Sequence, residues 1–310
     1  MMETVCGSET IRRPVVATIG MFDGVHLGHR SVVSLVVGQA AECGWASAVI
    51  TFTRHPQTVL HPDSPVPLLM SVDRRIRALA ETGIDYAILL DFDRRLASLS
   101  AAEFLQQIYN RYNVRRLIVG YDHRFGHNRS DTFDDYVAYG RRIGIDVVRA
   151  PEFVGSGAHI SSSAIRRLIA EGNVVEAQRL LGSRYSLEGT VVEGNRLGRT
   201  IGFPTANILP LEPNQLIPAV GVYAVIVHIG DKCYRGMLNI GTRPTVDCSG
   251  KTTIEVNIFD FSADIYGTTL TVEFVQRLRA ERRLPSLDSL RSQLADDRIA
   301  IENILNSIIS

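Results

Sequence analysis

The sequence predicts an α/β protein in two parts: a parallel sheet covered by helices, then an antiparallel β-barrel followed by a terminal helix. Three observations lead there. In the first half, short β-rich apolar runs alternate with segments of period near 3.6, the signature of strands joined by crossover helices. After Ile160 the pattern shifts to two short helices and then to β runs punctuated by Gly and Pro, with no helix between them. The length, 310 residues, exceeds what one compact core usually holds.

The strands expected in the first half are Pro14 to Gly20, Trp45 to Thr53, Tyr86 to Phe92, Arg116 to Gly120 and Asp146 to Ala150. Helical periodicity marks Asp73 to Thr82 and Ala101 to Tyr112 between them. Two helices follow, Ser163 to Ala170 and Val174 to Leu181, separated by the stop-and-restart pair Gly172-Asn173. Gly182 ends the second, which places the domain boundary there and divides the chain into 1–183 and 184–310. The β runs beyond it are Leu187 to Glu193, Val222 to Ile229, Cys233 to Ile240, Thr253 to Phe261 and Thr269 to Val275. Pro285-Ser286 starts a last amphipathic helix, Leu287 to Leu305.

Bulk properties narrow the function. With 45% hydrophobic and 21% charged residues the chain is not a disordered one. Lys plus Arg and Asp plus Glu both number 33, so general attraction to nucleic acid or anionic membrane is unsupported, and any bound anion needs a local site. No apolar run approaches the roughly 20 residues of a membrane span. The start, Met1 to Thr10, lacks a signal-peptide core. Cys6, Cys43, Cys233 and Cys248 are scattered without metal spacing, as reduced thiols of a cytoplasmic protein would be.

Directly after the first strand runs Gly20-Met21-Phe22-Asp23-Gly24-Val25-His26-Leu27-Gly28-His29. A Gly-rich turn entering a helix offers backbone N–H groups and a positive dipole end to a phosphate. His26 and His29 add imidazole donors to the same anion. On its own an HxxH spacing also suits metal ligation or two surface histidines; the strand-to-helix context favours a nucleotide. A second segment, Ile160-Ser161-Ser162-Ser163-Ala164-Ile165-Arg166, opens a helix with hydroxyls and an arginine able to clamp a polyphosphate. Taken alone it reads rather as an ordinary N-cap followed by a surface arginine.

In the second half, Gly198-Arg199-Thr200-Ile201-Gly202-Phe203-Pro204-Thr205-Ala206-Asn207 suits a loop whose backbone approaches phosphates closely, or simply a long hairpin connection. The Thr205 hydroxyl and Asn207 carbonyl are hard-oxygen donors of the kind Mg²⁺ takes. In the alternating run Thr253 to Phe259, Glu255 lies opposite the row Ile254, Val256, Ile258. It could take a proton from a substrate hydroxyl or align it, though taken alone it reads rather as a solvated strand glutamate.

Together these motifs resemble known families. His26-Leu27-Gly28-His29 and the Ser161 to Arg166 segment are similar to the HxGH and ISSTxxR signatures of the nucleotidylyltransferase superfamily, with Ser163 where Thr is usual. Val119-Gly120-Tyr121-Asp122-His123-Arg124-Phe125-Gly126 resembles the VGxDFxFG loop of FAD synthetases, His123 replacing Phe, and His127 stands where a basic residue is common. Thr51 to Pro56 resembles their FxPHP segment, with Arg54 a departure. The run from Gly198 to Asn207 closely resembles the riboflavin kinase signature. Gly221-Val222-Tyr223-Ala224, Asn239 to Thr245, the Glu255 strand and Leu278-Arg279-Ala280-Glu281 continue the match; Arg283-Leu284 stands where a Lys–Phe pair is usual.

The resemblance, from Val15 to Asp297, is to the bacterial bifunctional riboflavin kinase/FAD synthetases. It implies a Rossmann-like nucleotidylyltransferase domain followed by a kinase barrel, with phosphorylation of riboflavin to FMN and adenylylation of FMN to FAD with release of pyrophosphate. Riboflavin, FMN and ATP would be its small-molecule partners and Mg²⁺ its metal, with no nucleic acid or membrane partner, in a monomer or weak homo-oligomer. By the same resemblance, His26, His29, Arg166 and Glu255 would be catalytic. Gly20, Phe22, Gly24, Gly28, Ser161, Ser162 and Ser163 would bind ATP in the first half, and Gly198, Gly202 and Pro204 in the second. Asp122, Phe125 and Arg279 would hold flavin, and Thr205, Asn207 and Asp122 the metal.

Overall fold

The structure, a computed structural model, describes residues 2–121, 124–127, 130–153, 160–194, 198, 201–243, 251–282 and 285–309. It divides into two compact units, Met1–Val66 with Val72–Ser161, and Pro67–Ser71 with Ser162–Ser310. The short segment Pro67–Ser71 and the helices after Ser161 thus belong with the barrel.

The first unit is built on a sheet of β1 (Glu3–Cys6), β2 (Val15–Ile19), β3 (Ala46–Phe52), β4 (Tyr86–Leu90), β5 (Val114–Val119) and β6 (Asp146–Arg149). All pairings are parallel and the order is β1-β4-β3-β2-β5-β6. Every residue of β2 and β3 is buried. Helices cover both faces of such a sheet, so its central strands read as continuous apolar runs and are easy to find. Around the sheet lie α1 (Leu27–Cys43), α2 (Pro56–Leu60), α3 (Val72–Ala80), α4 (Arg94–Ala97), α5 (Ala101–Tyr112) and α6 (Phe133–Ile143). Local chemistry fixes their ends. Ser100 with Glu103 and Thr132 with Asp135 form capping boxes at the starts of α5 and α6, and Gly44 and Gly144 end α1 and α6 at positive φ. The chain places β3 and β4 on one side of β2, and β5 and β6 on the other. The switch point, where ligands of open α/β sheets bind, therefore lies beyond the carboxyl ends of β2 and β5.

The second unit carries α7 (Ser162–Ala170), α8 (Val174–Leu181), β7 (Ser186–Val192), β8 (Ala206–Pro210), β9 (Gly221–Ile229), β10 (Lys232–Arg243), β11 (Lys251–Ile258), β12 (Thr269–Arg279) and α9 (Leu287–Ile309). The strands close a barrel in the order β10-β11-β8-β7-β12-β9, antiparallel throughout. Ile301 and Leu305 of α9 are buried with Val222, Ala224, Met237, Phe259 and Val275. Arg279 at the end of β12 forks onto Asp297 of α9, its Nη2 2.6 Å from Oδ2, and Gln293 donates to the same carboxylate at 2.7 Å.

Two strands go beyond the sequence expectation. β1 has one buried residue, Val5, and so no periodicity to show. β8 begins inside the Gly198 to Asn207 motif read as loop: Ala206 and Asn207 pair with Val256 and Glu255. The predicted strand Thr253 to Phe261 is shorter in fact. It ends at Ile258, and Asp260, at φ +55°, turns the chain.

Candidate active sites

In the first unit the turn after β2 is wound tightly, with Phe22, Gly24 and Val25 at φ +51°, +87° and +39°. Gly20 anchors its start by donating to the Ile50 carbonyl at 3.1 Å. His26 is the N-cap of α1, and its Nδ1 accepts the His29 N–H at 3.2 Å. The two imidazoles stack, centroids 3.5 Å apart and planes 14° from parallel, and Phe22 packs at 5.0 Å from the His29 ring. A Cβ at Gly28 would come within 3.3 Å of the His26 ring, and one at Gly20 within 3.1 Å of the Phe22 ring. Because Nδ1 receives a hydrogen bond, neutral His26 carries its proton on Nε2. The helix N-terminus, its cap and a stacked imidazole pair are thereby assembled at the sheet's switch point.

Arg75 of α3, 1% exposed, lies beneath this turn. Its Nη1 donates to the Met21 carbonyl at 3.0 Å and its Nη2 to the Phe52 carbonyl. Thr51 Oγ1 donates to the same Met21 carbonyl at 3.0 Å. Burial pushes the guanidinium down to about 10, against the buried Asp23 carboxylate, which favours the charged form. An arginine amid helical periodicity gave no sequence signal for this role; only the fold brings it under the turn.

Other predicted residues of the first half are placed differently. Phe125 belongs to the core, stacked on Tyr136 at 4.3 Å, and its carbonyl accepts from the Tyr136 hydroxyl at 3.1 Å. Asp122 and His123 lie outside the described residues. Ser161 closes the first unit's sequence, whereas Ser162, Ser163 and Arg166 ride on α7 in the second unit. Arg166 Nε donates to the Pro67 carbonyl at 2.7 Å.

In the barrel, Glu255 is the centre of a polar group drawn from three strands. Register sets Asn207 of β8 on one side of it and Asn239 of β10 on the other. Thr205 Oγ1 donates to Glu255 Oε2 at 3.3 Å. Asn257, on the same face of β11, donates to the Pro204 carbonyl at 2.6 Å and ties the motif loop down. The glycines leave space for this packing. A Cβ at Gly198 would stand 2.2 Å from the Phe203 carbonyl oxygen, and one at Gly194 would stand 2.0 Å from Asn207 Nδ2. Gly202, at φ +84°, makes the turn ahead of Pro204. Beside Thr205 opens a cavity of about 440 Å³, lined by Pro204, Val256, Ile258, Phe261, Ile265 and Tyr266 among others. Ile254, Val256 and Ile258 are buried in the row opposite Glu255, as the alternation predicts.

The FAD synthetase family model matches residues 8–164 and the riboflavin kinase family model residues 181–305. The bifunctional riboflavin kinase/FMN adenylyltransferase of Escherichia coli K12 is 38% identical over 294 residues, 94% of this chain and 93% of that protein. Its counterpart from Bacillus subtilis is 35% identical over 290 residues, 91% of this chain and 90% of that one.

The chain belongs to the bifunctional riboflavin kinase/FMN adenylyltransferase family.

A crystal structure from Streptococcus pneumoniae, described as a macrolide-efflux protein, superposes with a TM-score of 0.84 at 35% identity and covers 96% of both chains. Among the described residues here, no helix is long and apolar enough to cross a membrane. The departures from the family pattern have structural settings. Arg54 forks onto Asp91, Nη2 to Oδ2 at 2.9 Å and Nε to Oδ1 at 3.0 Å, on the surface of the first unit. Hydrogen bonds from Thr53 and then Arg54 hold the Asp91 carboxyl below its ordinary range. Arg283 and Leu284 lie outside the described residues. Arg279, matching the family's LRxE segment, is engaged with Asp297 and fastens α9 to the barrel. Asn239 and Glu281, both in segments that carry the family resemblance, meet near Gly241, where a Cβ would stand 2.6 Å from Glu281 Oε1 and 3.2 Å from Asn239 Nδ2; Asn239 pairs with Glu255.

Proposed function

We propose that this chain makes FMN from riboflavin and ATP in its barrel half, residues 184–310, and adenylylates FMN to FAD in residues 1–183, releasing pyrophosphate. What supports this reading is that both motif sets close into compact clusters, His26 on His29 in one unit and Thr205 with Asn207 around Glu255 in the other.

In the kinase half, Glu255 takes the proton from the ribityl 5′-hydroxyl as its oxygen attacks the γ-phosphorus of ATP, the bond from that phosphorus to the β,γ-bridging oxygen breaks, and ADP leaves. A hydroxyl, an amide carbonyl and a carboxylate form a hard-oxygen set that fits Mg²⁺, an ion commonly held by few protein ligands and the substrate's phosphates. Thr205 and Asn207 hold it, and when bound it neutralises phosphate charge. The loop of Gly198, Gly202 and Pro204 follows the phosphates, and the cavity beside Thr205 takes the nucleoside end of ATP. Arg279 lies near the flavin end and helps to hold the flavin.

In the adenylyltransferase half an FMN phosphate oxygen attacks the α-phosphorus of ATP and pyrophosphate leaves. The turn from Gly20 through Phe22 and Gly24 to Gly28 surrounds the nucleotide, and His26 Nε2–H and His29 stabilise charge developing on the phosphates. Ser161, Ser162, Ser163 and Arg166 hold the polyphosphate, and the loop of Asp122 and Phe125 serves flavin and metal. We place this reaction in the cytoplasm, carried out by a monomer or weak homo-oligomer.

The test follows riboflavin, FMN and FAD by chromatography in a reaction with ATP and Mg²⁺. FMN should appear first and FAD after it, with Glu255→Ala blocking the first product and His29→Ala the conversion to the second. FMN accumulating without FAD in the unaltered protein would confine activity to the barrel.

A further inference from the structure

Pro67–Ser71 precedes α3 in sequence yet belongs to the second compact unit. It is held there by a single β-bridge at Leu68. Leu68 donates to the Asn214 carbonyl at 2.8 Å, Leu216 donates to the Leu68 carbonyl at 2.8 Å, and Leu68 and Gln215 form a parallel bridge. The side chain of Gln215, only 7% exposed, secures this junction. Its Nε2 lies 2.7 Å from the Ser186 carbonyl, 3.4 Å from the Leu69 carbonyl and 3.4 Å from the Tyr185 hydroxyl. The Tyr185 hydroxyl in turn donates to Leu216, on the loop that carries Gln215. At the far end, Ser71 Oγ donates to Glu188 Oε2 at 3.4 Å. At the near end, the Pro67 carbonyl accepts from Arg166 Nε at 2.7 Å.

The guanidinium is a rigid plane, so fixing Nε at one carbonyl sets the direction of its remaining donors. A buried amide that ties the segment, through the Leu69 carbonyl, to the Ser186 carbonyl and the Tyr185 hydroxyl therefore helps to set where that plane points. We infer that Gln215, in the loop between β8 and β9 of the kinase half, is a positioning residue for adenylyl transfer: it holds the Pro67–Ser71 segment whose Pro67 carbonyl orients Arg166. This rests on the proposed role of Arg166 in binding the polyphosphate of ATP. In this inference Gln215 acts through the segment and not as a ligand of the substrate.

The test uses the full chain with the two reactions assayed separately. Gln215→Met keeps the side chain's volume and removes its hydrogen bonds. It should raise the KM for ATP in FAD formation about tenfold, with the KM for FMN and the rate of riboflavin phosphorylation within about twofold of the unaltered protein. In an Arg166→Ala background it should add nothing, because residues acting through one group are not additive. Leu68→Pro, which deletes the N–H donated to Asn214, should reproduce the effect and stands in if Gln215→Met does not fold. Equal losses in both reactions, or a full additional loss on top of Arg166→Ala, would overturn the inference. If Arg166→Ala slows FAD formation and Gln215→Met does not, the inference fails while the role of Arg166 stands. If Arg166→Ala itself leaves FAD formation unchanged, the underlying reading fails.

Discussion

The two candidate sites are built on opposite plans. In the α/β unit the key contacts are local: His26 caps the helix that starts beside it and stacks on a residue three positions later. In the barrel, Asn207, Glu255 and Asn239 come from three strands and meet only because the register is right. A local site survives wherever its turn can form. A register-built site depends on every pairing around the barrel, since a one-residue slip would send Glu255 to the opposite face. The contrast explains why the first site can be read from its spacing and strand-to-helix context together, and why Glu255 taken alone reads rather as a solvated glutamate.

The sharpest way to break the comparison is to remove one group from each plan. Glu255→Gln should lower the rate of FMN formation by about 10²- to 10⁴-fold, the usual worth of a general base, and leave FAD formation from supplied FMN intact. His29→Ala should lower FAD formation by about 10²-fold and spare the kinase, as loss of one donor to a transition-state charge does. Gly198→Ala probes the barrel plan without removing chemistry. Its Cβ would sit 2.2 Å from the Phe203 carbonyl oxygen, so the Thr205 loop must shift and kinase turnover should drop by roughly 10- to 100-fold, with the melting temperature little changed.

Arg75→Met tests whether the local site is truly self-sufficient. It strips donors from the Met21 and Phe52 carbonyls and leaves buried Asp23 without its neighbouring cation. We expect a stability loss of about 2 kcal/mol by denaturant unfolding and a fall in FAD formation that the kinase does not share. The smallest effect belongs to Arg54→Ala, which removes one surface pair and should cost a few tenths of a kcal/mol at neutral pH. Because Asp91 is held below its ordinary range, its stabilisation is complete above that range and disappears as pH falls through the lowered value. The difference between Arg54→Ala and the unaltered protein should therefore vanish in acid unfolding curves.

Legibility followed burial and locality. β2 and β3 are buried on both faces and read as unbroken apolar runs. β1 offers a single buried residue, and β8 begins in a stretch dense with turn formers, so neither had a period to detect. The motif residues were visible as patterns. Arg75 and Gln215 were not, because each is a common residue type whose meaning comes from carbonyls far away in sequence. The Pro67–Ser71 segment shows the same limit: nothing in Pro-Leu-Leu-Met-Ser announces a strand partner near residue 215.

The closed barrel has a further consequence for how copies of this protein meet. A strand with an unpaired side invites another chain to add to it, and the barrel presents no such side because all six strands pair twice. Among the described residues only the parallel sheet has margins, and both are short: four residues in β1, with Glu3 exposed, and four in β6. Asp146 and Arg149 stand at the two ends of β6, Asp146 paired with Arg116 and Arg149 laid over the Phe133 ring. Charge and brevity there leave a neighbouring molecule little backbone to join, so the fold resists growing edge to edge into aggregates even though its central strands β2 and β3 are buried throughout.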